Sequence, residues 1–241
     1  MIFDQHEFDL RCEWGEPGVT TLAPISDAVV IVDVLSFCTS VEIAVRQGAL
    51  VYPYRGPADA AAAFAASVGA ELADRRRTPG RYSLSPESLQ KLGPGARLVL
   101  PSPNGATLTL AAPPTPVLAG CLRNARAVAR AARRFGPRVA VISAGERWRA
   151  DGSLRPAFED LVGAGAILCH LEGRLAPEAQ AAVAAFRAVE ARLSEALRQC
   201  SSGKELVERG FGGDVDLAAQ LNLSECAPVL TDQAYQWNQT P

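Results

Sequence analysis

The stretch AVVIVDVLSFCTS, residues 28–40, decides how the chain folds. Its first five residues, 28–32, are small or β-branched without interruption, as in a strand buried on both faces of a parallel sheet. Asp33 ends the run. Thr39-Ser40-Val41-Glu42 fits a capping box, so a helix is expected from there onward. An acid at the carboxyl end of a parallel strand, just ahead of a helix, stands at the sheet edge where α/β proteins bind ligands. Capping the turn is the simpler role open to Asp33, because Asp is frequent at such turns.

Working outward, alternating or continuous apolar runs predict further strands at 2–14, 50–54, 71–73, 97–100, 116–119, 138–143 and 227–231. Helices are expected at 57–68, 86–92, 107–112, 124–135, 156–170, 176–199, 201–209 and 214–221, with a long polar loop at 145–155. Strands and helices alternate to about residue 170, and helices dominate beyond. This predicts a three-layer α/β/α sandwich with a largely parallel or mixed central sheet and a helical C-terminal segment. No repeat or linker interrupts it, so residues 1–241 read as a single α/β/α domain.

Composition narrows the function. The 241 residues carry a net charge of −2, so no basic field attracts nucleic acid. No apolar run approaches membrane-spanning length, and MIFDQHEFDLR lacks the order of a signal peptide. The six cysteines are scattered without a C-x-x-C pair, which predicts a reduced, cytoplasmic chain. A cysteine-dependent phosphatase loop needs Arg six positions after its Cys; Gly18, Ala44, Ala127, Leu175, Leu206 and Asp232 stand there instead. His6 and His170, the only histidines, read as surface or core imidazoles rather than bases.

Four segments carry anion- or metal-suited residues. Asp33 is the first. At 102–107, Ser-Pro-Asn-Gly-Ala-Thr joins a strand end to a helix start whose free amides suit phosphate. Glu146, Glu159 and Asp160 flank the loop after strand 138–143 and could join Asp33 around a divalent ion; Mg²⁺ is usually held by one or two carboxylates with water and phosphate. Finally, Ser201-Ser202-Gly203-Lys204 leads into a helix, and a cation there works against the helix dipole unless it meets an anion. It is not a Walker loop, since the upstream glycine is missing.

Taken together, VVIVDVLSFCTSVEIAVRQGA, SPNGATLTL, AGCLRNARAVA, SAGERW…AFEDLVGAGAIL and SSGKELVERGF…DLAAQLN…APVL resemble the 2-phosphosulfolactate phosphatase family, in the family's order from about residue 25 to 230. The resemblance implies an α/β/α, Mg²⁺-dependent acid phosphatase that hydrolyses 2-phosphosulfolactate to sulfolactate and phosphate, a step in coenzyme M biosynthesis. Asp33, Asn104-Gly105, Asn124, Gly145, Glu159-Asp160 and Gly203 match its motifs. Three departures stand out. Ser36 replaces the Arg that usually follows D-V-L, the N-G-T motif reads Asn104-Gly105-Ala106-Thr107, and the 146–155 loop is longer and carries three arginines.

The expected enzyme is a phosphoric monoester hydrolase acting on a small anionic phosphoester, with homo-oligomerisation open to it. Asp33, Glu146, Glu159 and Asp160 are the metal candidates, and Asp33, Glu159 and Lys204 the catalytic ones. Ser36, Asn104, Gly105, Ala106, Thr107, Asn124 and Arg147 are the substrate-binding candidates. The 146–155 loop, through Arg147, Arg149 or Arg155, is expected to supply the cation that Ser36 lacks, and Asp33 and Asn104 are assigned to one sheet edge. The rival expectation is a catalytically silent paralogue that binds an anionic metabolite or a partner protein; Ser36 favours it.

Overall fold

A computed structural model describes residues 2–74, 77–78, 80–112 and 114–237. In chain order the elements are β1 (Leu10–Trp14), α1 (Gly15–Leu22), β2 (Ala28–Val32), α2 (Phe37–Arg46), β3 (Leu50–Tyr54), α3 (Ala61–Ser67), β4 (Glu71–Leu72), α4 (Pro86–Leu89), β5 (Arg97–Pro101) and α5 (Gly105–Ala111). They continue with β6 (Val117–Gly120), α6 (Ala125–Arg133), β7 (Val139–Ser143), β8 (Glu146–Arg147), β9 (Leu154–Arg155), α7 (Phe158–Leu168), α8 (Pro177–Val189), α9 (Leu193–Gln199), α10 (Ser201–Glu208), α11 (Gly212–Ala218), β10 (Val229–Thr231) and β11 (Ala234–Gln236).

Nine strands make one mixed, mostly parallel sheet in the order β1-β7-β2-β6-β10-β11-β3-β5-β4, with helices on both faces: an α/β/α sandwich. The alternation along β2 decides the layers. Ala28, Val30 and Val32 pack with α6, α7 and α8, whereas Val29 and Ile31 pack with α1, α2 and α5. All five residues are buried, which explains the uninterrupted apolar run. Helix α7 lies very close to α8, since a Cβ on Gly165 would stand 2.0 Å from the Ala182 carbonyl oxygen. That approach seats the first turn of α7 against the sheet. Among the described residues no helix is long and apolar enough to cross a membrane.

The C-terminal hairpin joins two blocks. β1, β7, β2 and β6 are mutually parallel, and so are β3, β5 and β4. Between them run three antiparallel pairings, β6–β10, β10–β11 and β11–β3, so the second block runs opposite to the first. In a flat sheet this would put the carboxyl ends of β2 and β5 on opposite edges, contrary to the single edge expected. The turn after β5 nonetheless reaches Asp33, whose Oδ2 accepts the Gly105 amide at 2.9 Å. Buried Tyr235 of β11 locks the join, exchanging a 2.8 Å hydrogen bond with Thr109 of α5.

Other differences have local causes. Helix α2 starts at Phe37, before the expected capping box, because Asp33 closes its first turn: the Asp33 carbonyl accepts the Cys38 amide at 2.8 Å. Thr39 and Ser40 lie inside the helix, their hydroxyls donating to the Val34 and Leu84 carbonyls. The 176–199 helix breaks at a 3₁₀ turn, Glu190–Arg192, into α8 and α9. The expected 145–155 loop is a two-stranded hairpin, β8–β9. Helix α1 and strand β11 are additional to the expected elements.

One buried ion pair braces α2 against the turn before α6. Arg123 Nε donates to Glu42 Oε2 at 2.5 Å, with both side chains at most 4% exposed. Glu42 Oε1 has no hydrogen-bond partner among the described residues. Removing the cation leaves a buried charge alone, which typically costs about 3–5 kcal/mol. Arg123→Met is therefore expected to lower Tm by about 6–20 °C, and adding Glu42→Met should recover much of the loss in a melting experiment. A single-variant Tm within 2 °C of wild type, on the order of one experimental error in such scaling, would show that the pair does not brace the fold.

Candidate active site

Asp33 sits at the end of β2, held by two turns. Its Oδ1 accepts the Phe37 amide at 3.1 Å and its Oδ2 accepts the Gly105 amide at 2.9 Å. Capping and site geometry therefore coincide in one residue. Gly105 permits the approach: a Cβ there would lie 2.3 Å from the Phe37 ring and 2.8 Å from Asp33 Oδ2. Burial lifts the Asp33 carboxyl to about 6 against the pull of these amides, and the charge of Glu159 adds to the rise.

Three more carboxylates converge on it. Asp160 Oδ1 accepts the Val34 amide and its Oδ2 the Gly145 amide, both at 2.8 Å. It thus ties the loop after β2 to the loop after β7. Burial raises the Asp160 carboxyl well above the ordinary range, with the charges of Asp33 and Glu159 adding to it. Glu159 is 2% exposed, and its Oε2 has no hydrogen-bond partner among the described residues. Burial and the Asp33 charge push Glu146 up to about 7, against a 3.0 Å hydrogen bond donated by Asn104 Nδ2 to Glu146 Oε2. Among the described residues, no three of His, Cys, Asp and Glu are arranged to hold a metal ion as they stand.

A cavity of about 230 Å³ meets this cluster at Glu146; Asp33, Glu159 and Asp160 are not part of its lining. Asn104, Thr107, Glu146 and Arg147, four of the sequence-predicted residues, line it together. The others are placed differently. Ala106 is buried, and the Gly105 amide is occupied by Asp33. Asn124 was expected to bind substrate, yet its side chain is fully buried and engaged with the backbone: it accepts from the Cys121 amide and donates to the Ala119 and Cys226 carbonyls. It shapes the turn after β6. Lys204 is exposed on α10.

The hairpin arginines also separate. Arg147 donates to the Gly152 carbonyl at 3.0 Å, Arg149 reaches Glu205 at 3.4 Å, and Arg155 donates to Ser202 Oγ at 3.2 Å. The cation beside Ser36 is none of these. Arg77 Nη2 donates to Ser36 Oγ at 3.0 Å, a residue that sequence reasoning passed over as part of a basic run. Its one visible sign was three consecutive arginines, 75–77, before a turn; residues 75 and 76 lie outside the described ones. His6 bonds Asp4 and His170 lies near Asn222, both at the surface.

The profile of the 2-phosphosulpholactate phosphatase family matches residues 17–233. The 2-phosphosulfolactate phosphatase of Methanothermobacter thermautotrophicus is 33% identical over 154 residues, which span 64% of this chain and 64% of that protein. The probable 2-phosphosulfolactate phosphatase of Carboxydothermus hydrogenoformans is 31% identical over 209 residues, 83% of this chain and 85% of that protein. With a match across nearly all of its length, the chain belongs to the 2-phosphosulpholactate phosphatase family of phosphoric monoester hydrolases.

Proposed function

We propose that this chain is a Mg²⁺-dependent phosphatase of a small phosphorylated organic acid, with 2-phosphosulfolactate as the substrate that the names of its relatives suggest. The observation that carries the reading is the cavity shared by Asn104, Thr107, Glu146 and Arg147, whose Glu146 interacts in turn with the buried Asp33. In it, Arg147 and the start of α5 receive the phosphoryl group, while Asn104 orients the Glu146 carboxylate. Water adds to phosphorus in line with the ester oxygen as that bond breaks. Its hydroxyl goes to phosphorus, and its proton goes overall to the departing oxygen. Both Asp33 oxygens already accept amides, which favours water over an aspartyl phosphate.

The donor set suits a hard cation. Burial and neighbouring charge raise the Asp33, Glu146 and Asp160 carboxyls, and Glu159 Oε2 is buried without a partner among the described residues. Glu159, Glu146 and Asp33 would have to draw together from their present places to hold Mg²⁺, and Asp160 keeps its clamping role. When bound, the ion supplies Lewis-acid charge at the phosphoryl group. All six cysteines are free, which suits the cytoplasm. Phosphate release from a panel of small phosphoesters, with and without Mg²⁺, tests the reading; a silent panel would favour the binding paralogue.

A second measurement follows from the shifted carboxyls. Asp33 at about 6 and Glu146 at about 7 hold protons in the folded state that the unfolded chain has released. Without metal, their contribution therefore favours the fold at low pH and is lost as pH rises from about 4 to 7. A cation replaces those protons. At a hundredfold excess over its Kd, Mg²⁺ contributes about 2.7 kcal/mol, or roughly 5–10 °C in Tm. The rise should be full at pH 8 and nearly absent at pH 5. An equal rise at both pH values, or none at pH 8, would remove this cluster as the cation site.

A further inference from the structure

Arg77 has no part in the chemistry above, yet it is the most carefully held cation near Asp33. Its Nη1 donates to Asp214 Oδ2 at 2.6 Å while its Nη2 reaches Ser36, and its guanidinium lies 4.9 Å from the centroid of the Phe211 ring. Asp214 is fully buried in the first turn of α11, and its Oδ1 accepts Ser85 Oγ at 2.6 Å and the Glu87 amide at 3.1 Å. A saturated buried carboxylate thus aims a planar fork, and a fork so held loses little freedom on binding a second anion. The two bonds use two of the five guanidinium N–H groups, and the side chain keeps 10% exposure.

The position of the fork relates it to substrate. Ser36 and Phe37 form the turn that meets Asp33 Oδ1, whereas the Gly105 turn meets Oδ2. The cavity assigned to the phosphoryl group belongs to the Gly105 turn, through Asn104 and Thr107. Through Ser36, Arg77 meets the turn on the Oδ1 side of Asp33. Helix α10 connects the two flanks, because Glu205 acts on the charge of Arg77 and pairs with Arg149 of the hairpin. A small phosphoester with a second anionic group has two charged ends to place, and the structure holds Arg77 at the Ser36 turn and Arg147 at the cavity of the Gly105 turn.

Resting on the phosphoester reading, we infer that Arg77 receives the second anionic group of the substrate, a carboxylate or sulfonate, and that Asp214 is its positioning residue. The cation missing at position 36 is thus supplied by the segment after β4 rather than by the hairpin. Arg77 then determines which phosphoesters are preferred: those carrying an acid beside the ester carbon over those with a neutral tail.

The test compares 2-phospholactate, which carries such a carboxylate, with ethyl phosphate, which does not. Both are assayed for phosphate release and titrated calorimetrically against the whole chain. Arg77→Met is combined with Asp214→Asn, so that no buried carboxylate loses its partner. Arg77→Lys, which keeps the counter-charge of Asp214, serves if the double variant does not fold. The wild-type preference for 2-phospholactate should fall about ten- to a hundredfold in the double variant, mainly through KM. It should fall less in Arg77→Lys, and Ser36→Arg added to the double variant should restore part of it.

A preference ratio within about threefold of wild type, less than the smallest loss expected of a charge-assisted bond, overturns the role of Arg77 however far Tm falls. The titration keeps the two readings apart. Tighter wild-type binding of 2-phospholactate than of ethyl phosphate, lost in the variant but without turnover of either, defeats the phosphatase reading and leaves Arg77 standing. Equal wild-type affinity for both compounds, or none for either, overturns Arg77.

Discussion

Asp33→Asn is expected to lower kcat/KM for phosphate release by about a thousandfold, near 4 kcal/mol of transition-state stabilisation, while Tm moves by only a few degrees. The change is isosteric and removes one carboxylate charge from the centre of the site. Two structural effects oppose each other. The Asn amide nitrogen must face either the Phe37 or the Gly105 amide, losing one acceptor and leaving a buried donor unpaired, at about 1–3 kcal/mol. Against this, burial lifts the Asp33 carboxyl to about 6, so keeping it ionised at neutral pH is itself unfavourable, and a neutral side chain removes that cost. Phosphate release and a melting curve on one preparation read both effects. Activity within tenfold of wild type would take Asp33 out of the chemistry, on the order of what losing one neutral hydrogen bond alone costs. Loss of the fold would make closure of α2 its principal role.

Asp160→Asn should act by a different route, lowering Tm by about 4–12 °C and activity by about a hundredfold. Asp160 bonds the Val34 amide, one residue past Asp33, and the Gly145 amide, one residue before Glu146. One side chain thus sets the spacing of two loops that each deliver a site carboxylate. Asn satisfies one amide and turns its own NH₂ toward the other, a loss of about 2–3 kcal/mol. The loops then drift, and a displacement of about 1 Å at a reacting group can cost a hundredfold. A clamp and a metal ligand predict different patterns in a Mg²⁺ titration of the variant. With a clamp, Tm and the Mg²⁺ affinity fall together, because both loops carry proposed ligands. A variant of wild-type Tm that has lost Mg²⁺ affinity would restore Asp160 to the ligand set.

Much of the architecture was legible along the chain. The unbroken β-branched runs at 28–32 and 139–143 mark strands buried on both faces, because only a side chain with apolar neighbours above and below needs no polar alternation. Proline at a first helical position marked α4 and α8, where a missing amide hydrogen costs nothing. The start of α2 was misplaced because a hydroxyl pair resembling a cap stands inside the helix, while the cap position is Ser36 and the first helical amide is taken by Asp33. The hairpin β8–β9 was missed because two-residue strands have no measurable alternation.

By itself, then, the sequence determined the layers, the strand-end acids and the family. Burial by layer is written as local periodicity, and a carboxylate after a strand stands out wherever it occurs. The tertiary structure alone decided which strands are neighbours, that the two parallel blocks run in opposite directions, and which polar groups meet. Arg77 finds Ser36 across 41 positions and Asp160 finds Val34 across 126. The entropy of closing such loops grows only slowly with their length. Sequence separation therefore carries almost no signal of who will be partners, and the choice falls to the packing that buries both ends together.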